Sequence, residues 1–261
     1  MTTIATPNKR PGNTARQKEL FEQIHDQYYG STNDKYAQLY KEEYLYRTIA
    51  EYLGDSKSVI ELASGIGAAA GRLAQLKPGL EISGCDISER AAEDFRSIHQ
   101  RPCYVADLTR PFEIDTTYDA VLVMGGIHHL VADLSTAYAN IQRLLKPGGR
   151  LIVTEPNADY FLNPVRRLWY RLDKQNFDFH NEHALSHDAL FREFGGKYDL
   201  VDTTYFGGIA NYLLVLNHFV RFPNSLKKSI VKPAMSIEKL YHKLPGKLPY
   251  ASFIACWQLK S

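Results

Sequence analysis

The chain has no apolar run long enough to cross a bilayer. Its longest, YLLVLNHFV at 212–220, is about half of the roughly 20 residues that a spanning helix needs. The first residues, MTTIATPNKRPGNTARQKELFEQ, lack the apolar centre of a secretory signal, so a cytoplasmic, non-spanning protein is expected. Cysteine is scarce as well. Cys85, Cys103 and Cys256 fall in strand-like segments without metal-ligand or redox spacing, and read as buried packing in a reducing compartment. Repeats and low-complexity tracts are absent, which excludes solenoid architectures. Net charge is small, +2 from 31 basic and 29 acidic residues, and leaves no electrostatic footprint for a nucleic acid.

What is present is an alternation. A chain of 261 residues, 44% of them hydrophobic, can build one large α/β domain with a full core. Strands are expected at 58–63 (SVIELA), 80–86, 102–107, 118–124 (YDAVLVM) and 149–156 (GRLIVTEP), with helical stretches between them, 133–145 among these. Ahead of them, residues 1–16 are polar, and helices are expected over 17–28 and 35–53. After Pro156 the rhythm breaks. Ser186 can cap a helix through DALFREF, YDLVDTTYF supplies a sixth strand, and YASFIACWQLK supplies a seventh, apolar enough for a central place. Such a chain folds as a doubly wound, Rossmann-like α/β sheet of seven mostly parallel strands, with ligands at the carboxyl ends.

The first strand runs into a glycine-rich bend and an alanine-rich helix, VIELASGIGAAAGRLA at 59–74. Gly65 and Gly67 allow a sharp turn and close approach to a ligand, and the helix beyond presents unpaired N–H groups. With Ala70 they spell G-x-G-x-x-A. Asp86, 21 residues after Gly65, ends the second strand where a carboxylate can accept both hydroxyls of a ribose. These features admit a nicotinamide dinucleotide, and so an oxidoreductase, without choosing it. Glu61 and Asp107 lean away from it. A carboxylate in the crevice would repel a pyrophosphate and suit a cation, and one ending the third strand can accept from an adenine amino group.

With LLKPGGRLIVTEPN at 144–157, these residues resemble a class I S-adenosylmethionine-dependent methyltransferase of the small-molecule type, closely over 58–157 and loosely over 186–209 and 250–260. The resemblance implies S-adenosyl-L-methionine as cofactor. It places the methionine part on the loop Glu61–Gly67, the ribose on Asp86 and Ile87 and the adenine on Asp107 and Leu108, with Met124 and Gly125 lining the site. One departure is Ala63, where the family usually has glycine. By the same resemblance residues 1–53 form a helical cap, and 54–261 form the methyltransferase domain with insertions at 158–185 and 211–249 as an acceptor lid.

Methyl transfer asks chiefly for alignment, and for a base where the acceptor is protonated. His128 and His129, in MGGIHHLVAD after the fourth strand, are the candidate bases, and either could instead touch the cofactor or cap the next helix. Candidates for acceptor binding are Tyr28, Tyr29, Glu155, Asn157, Tyr160 and Trp169. The segment DFHNEHALSHD at 178–188 reads as a connection rather than a metal site, since magnesium prefers oxygen ligands. The expected reaction is methylation of a small molecule at a hydroxyl oxygen. A non-catalytic module binding the same cofactor shares every motif. The C-terminal part is basic, eight Lys and Arg against Glu238 alone from Asn211 onward. Its apolar and basic helical faces at 233–249 make 211–249 a candidate for peripheral contact with anionic lipid, or for a solvated lid or dimer face.

Overall fold

The structure is a computed structural model describing residues 34–131, 133–172, 183–216 and 222–261. The helix expected at 17–28, Tyr28, Tyr29 and residues 178–182 of the His-rich connection lie outside the described residues, as does the side chain of Trp169. Asp34 caps the first described helix by accepting from the backbone N–H groups of Tyr36 and Ala37 at 2.8 and 3.1 Å. That segment runs through α1 (Lys35–Lys41), a π-helical turn (Glu42–Tyr46) and α2 (Arg47–Leu53). Tyr40, Tyr46, Ile49 and Leu53 from it are buried in the same core as Val59 and Leu122 of the sheet.

The strands are β1 (Ser58–Leu62), β2 (Glu81–Asp86), β3 (Cys103–Val105), β4 (Tyr118–Met124), β5 (Leu145–Pro156), β6 (Tyr198–Phe206) and β7 (Ser252–Leu259). Their order in the sheet is β3-β2-β1-β4-β5-β7-β6. β7 is antiparallel to both neighbours, and the other described pairings are parallel. β7 is therefore central, as its apolar run implies. Side chains alternate between two cores. Val59, Ala120, Leu122 and Ile152 face α1 and α2, whereas Ile60, Val121, Val123 and Val153 face α5 (Leu134–Leu144).

Around the sheet lie α3 (Ala68–Leu76), α4 (Glu89–His99), α5, α6 (Asn163–Leu172), α7 (His187–Phe194) and α8 (Asn224–Tyr241). Two boundaries depart from expectation. β5 begins at Leu145 rather than 149, carried through Pro147 and Gly148 by an irregular register between Tyr118 and Ala120 of β4. Ser186 occupies the N-cap of α7, but its hydroxyl donates to Asp159 instead of accepting from the helix. Strand order reverses between β1 and β4, the point at which sheets of this kind have their ligand crevice, at the carboxyl edge.

Candidate active site

The bend after β1 is held from three sides. Gly65 donates its N–H to the Asp86 carboxylate at 2.8 Å, Ser64 donates to the Cys85 carbonyl at 3.1 Å, and the His99 ring meets the Ile66 carbonyl at 2.9 Å. Ala63, Gly65 and Gly67 all have positive φ, at 52, 53 and 74°. Gly67 is irreplaceable on steric grounds as well: a Cβ there would lie 2.5 Å from the Phe95 ring. Across the crevice Gly126, after β4, packs so closely on Ala63 that a Cβ would sit 2.9 Å from the alanine methyl. The loops after β1 and β4 are thus locked together. Gly125 beside them is open, with nothing nearer than 3.8 Å to a Cβ built there.

The expected cofactor residues gather around this bend. Ala63 is exposed, and Gly65, Asp86, Ile87, Asp107, Met124 and Gly125 are half-buried, so each keeps some accessible surface. Glu61, Gly67 and Leu108 are buried. Glu61 is only 3% exposed and accepts from the Ala70 N–H of α3 at 3.2 Å. Burial, with the Asp86 charge adding to it, pushes its carboxyl up to about 8. Asp107 spends one oxygen on the N–H and hydroxyl of Thr109 and pairs with Arg110 at 3.3 Å.

His128 and His129 follow β4 in a short 3₁₀ turn, Ile127–His129, with their rings 3.9 Å apart. His128 Nδ1 lies 2.6 Å from the Glu155 carboxylate, which also accepts from the backbone N–H groups of Ile127 at 2.6 Å and His128 at 3.4 Å. Burial pushes Glu155 up to about 8 and His128 down to about 3, so the imidazole is neutral at pH 7. When Glu155 is ionised, its carboxylate accepts from Nδ1–H and leaves Nε2 as an acceptor. His129 is also held well below its usual range by burial.

Two expected acceptor residues are corrected. Glu155 is 1% exposed and orients His128 instead of facing an acceptor. The sheet order carries that signal, since β4 and β5 are neighbours and Met124 pairs with Thr154. Asn157 is 0% exposed, its amide donating to the carbonyls of Lys247 and Tyr250, because the second insertion folds back over it. Tyr160 lines a cavity of about 430 Å³ with Val165, Arg166, Ile209, Tyr212 and Tyr241. Arg166 went unread in the sequence. Its guanidinium donates to the carbonyls of Asn157 and Ala251, and its charge contributes, after burial, to the lowered pKa of His128. The cavity and the dyad therefore share one electrostatic neighbourhood.

Residues 60–151 match a family model described as a methyltransferase domain. The chain is 36% identical over 106 residues to a demethylmenaquinone methyltransferase of Thermus thermophilus, covering 38% of this chain and 47% of that protein. It is 31% identical over 155 residues to a ubiquinone/menaquinone biosynthesis C-methyltransferase of Geobacter sulfurreducens, covering 56% of each. The chain thus spans about half the length of the curated relatives it matches. Among solved structures it resembles the N-methyltransferase NodS of Bradyrhizobium japonicum in complex with S-adenosyl-L-homocysteine, at TM-score 0.58 and 11% identity, over 93% of this chain and 99% of that one. That likeness is one of fold.

Proposed function

We propose that this chain, which carries a methyltransferase domain on a class I S-adenosylmethionine-dependent methyltransferase fold, methylates a hydroxylated small molecule. The site suits the cofactor: the pinned bend offers backbone at close range, Gly125 leaves space, and the Asp86 carboxylate stands beside the bend at the end of β2. When bound, S-adenosylmethionine supplies a methyl group on a positively charged sulfur.

The remaining roles belong to the protein. Gly65 and Gly67 bring the bend close, Asp86 with Ile87 holds ribose, and Asp107 with Leu108 borders adenine. A cation brought near Glu61 would draw its carboxyl back toward the ordinary range. The observation that carries the chemistry is the His128–Glu155 pair. When ionised, Glu155 fixes the proton on Nδ1, and Nε2 takes a proton from the acceptor hydroxyl as its oxygen gains a methyl group. General-base assistance of this kind is worth roughly 10² to 10⁴ in rate. The acceptor's apolar part would occupy the largely apolar cavity lined from α6 and from the end of α8.

A second reading is favoured by the relatives' names. In a hydroxylated ring the electron pair released on deprotonation can pass to the conjugated carbon, so methylation at oxygen and at carbon share the same first step. Calorimetric titration with S-adenosylhomocysteine, against NADH as control, tests the cofactor. Binding of NADH in preference would refute the proposal. Carbon-13 NMR of the product formed from a phenol or quinol with labelled cofactor separates the two acceptor atoms.

A further inference from the structure

The cavity's mouth has more exposed apolar surface than a solvated lid requires. Of fifteen exposed large hydrophobic residues among those described, ten lie in the two insertions or on Ile209 between them. Phe161, just before α6, and Val165 and Leu168 on it form an exposed stripe, at 58, 60 and 57% exposure. On α8, Leu226, Ile237 and Leu240 fall within about 60° of one another at 100° per residue, and Leu240 is 64% exposed. Leu244 and Leu248 continue the α8 surface beyond its end, and the Leu248 carbonyl accepts from the Phe161 N–H at 3.0 Å. The two insertions meet at that bond. Phe161, Leu162, Val165 and Ile209 are at once exposed and part of the cavity wall, so the cavity opens between the stripes.

Charge selects the partner. Lys228, Lys232, Lys239 and Lys243 are exposed, whereas Glu238, the sole acid from 224 to 248, is 0% exposed. Its carboxylate faces inward, accepting from the Gly208 and Ala210 N–H groups at 2.7 and 2.8 Å and from the Tyr40 hydroxyl at 2.8 Å. The same buried anchorage includes Lys227, which is paired with Asp34. The outer face of α8 therefore carries the apolar stripe on one side, Lys228, Lys232 and Lys239 on the other and Ser225, Ser229 and Ser236 between them, with no exposed acid, a combination that fits anionic headgroups over acyl chains. Against water alone such a patch is costly.

We propose that the paired stripes of α6 and α8 dock on an anionic bilayer and that the cavity between them receives an amphiphilic acceptor directly from the lipid. The route of the acceptor rests on the function proposed above, whereas the docking does not.

The test is co-sedimentation of the full chain with vesicles of phosphatidylglycerol and phosphatidylcholine in equal parts, and with phosphatidylcholine alone. Retention on the mixed vesicles only, weakened by 0.5 M salt, is expected. Leu240→Glu and the double change Lys239→Glu/Lys243→Glu should each lower it at least about tenfold, with S-adenosylhomocysteine affinity unchanged as the sign of an intact fold. No retention, equal retention on neutral vesicles, or full retention of Leu240→Glu would overturn the proposal. A dimer in sedimentation velocity that Leu240→Glu dissociates, without vesicle binding, would overturn it in favour of a second copy. Failure of the wild-type chain to bind S-adenosylhomocysteine would instead refute the function and leave the vesicle result standing.

Discussion

Replacing Asp86 with alanine should weaken S-adenosylhomocysteine binding by roughly 1.5 to 3 kcal/mol, about 10- to 150-fold in Kd, the scale of a hydrogen bond to a charged group. The magnitude has two sources in the structure. Asp86 holds the Gly65 N–H at 2.8 Å and the Ser88 N–H at 2.9 Å, so its loss frees the bend as well as removing the ribose acceptor. The residue is half-buried, and water can replace part of what is lost, which keeps the stability cost near about 1 kcal/mol. Asp86→Asn separates the two sources. An amide oxygen can still accept from Gly65, so the bend should persist while the charge is gone, and its Kd should fall between those of wild type and alanine. Calorimetry gives the affinities and urea unfolding the stability. A Kd for Asp86→Ala within twofold of wild type would refute the ribose assignment. Equal losses in both variants would place the whole effect on charge and none on the bend.

Glu155→Gln should lower turnover by roughly 10² to 10⁴, because an amide can donate to His128 Nδ1 and force the proton onto Nε2. Steady-state rates with any working acceptor, beside an unchanged cofactor Kd, decide it, and a full-rate variant would discard the dyad. Glu61 gives a pH dependence: its folded pKa is raised from 4.5 to about 8, so stability is greatest below pH 4.5 and declines as pH rises through 8. Glu61→Gln should consequently gain on wild type between pH 5 and pH 8, by at most about 3 kcal/mol at neutral pH, and an offset in Tm that is the same at both would contradict the burial argument. Gly67→Ala should cost about 2 to 4 kcal/mol, from its left-handed backbone and the contact with Phe95, as read by urea denaturation. A loss under about 0.5 kcal/mol would mean that the bend is far softer than drawn.

Buried parallel strands are continuous β-branched and apolar runs, so VIEL, AVLVM and LIV were readable directly, and β7 was readable as central from its own composition. Glycine spacing and the carboxylates near strand ends located the crevice. Where the reading failed, the cause was contact between segments distant in sequence. Glu155 is engaged by Ile127 and His128 of the turn after β4, and Asn157 is buried by the return of residues 247–250. Neither is local. Arg166 sits on a helix whose pattern reads as amphipathic, and only the packed structure brings its charge to bear on His128.

β7 also sets an order of events for a chain emerging from the ribosome. β5 ends at Pro156 and its antiparallel neighbour begins at Ser252, so both insertions and β6 are synthesised before β5 gains its second partner. β6 in turn joins the sheet only through β7. Until then β5 presents Leu151, Ile152 and Val153 on an open strand edge, a template for pairing with other chains. A nascent chain paused before residue 252 would be most in need of a chaperone at that edge. The long separation of β5 from β7 makes closing of the sheet a slow, late step.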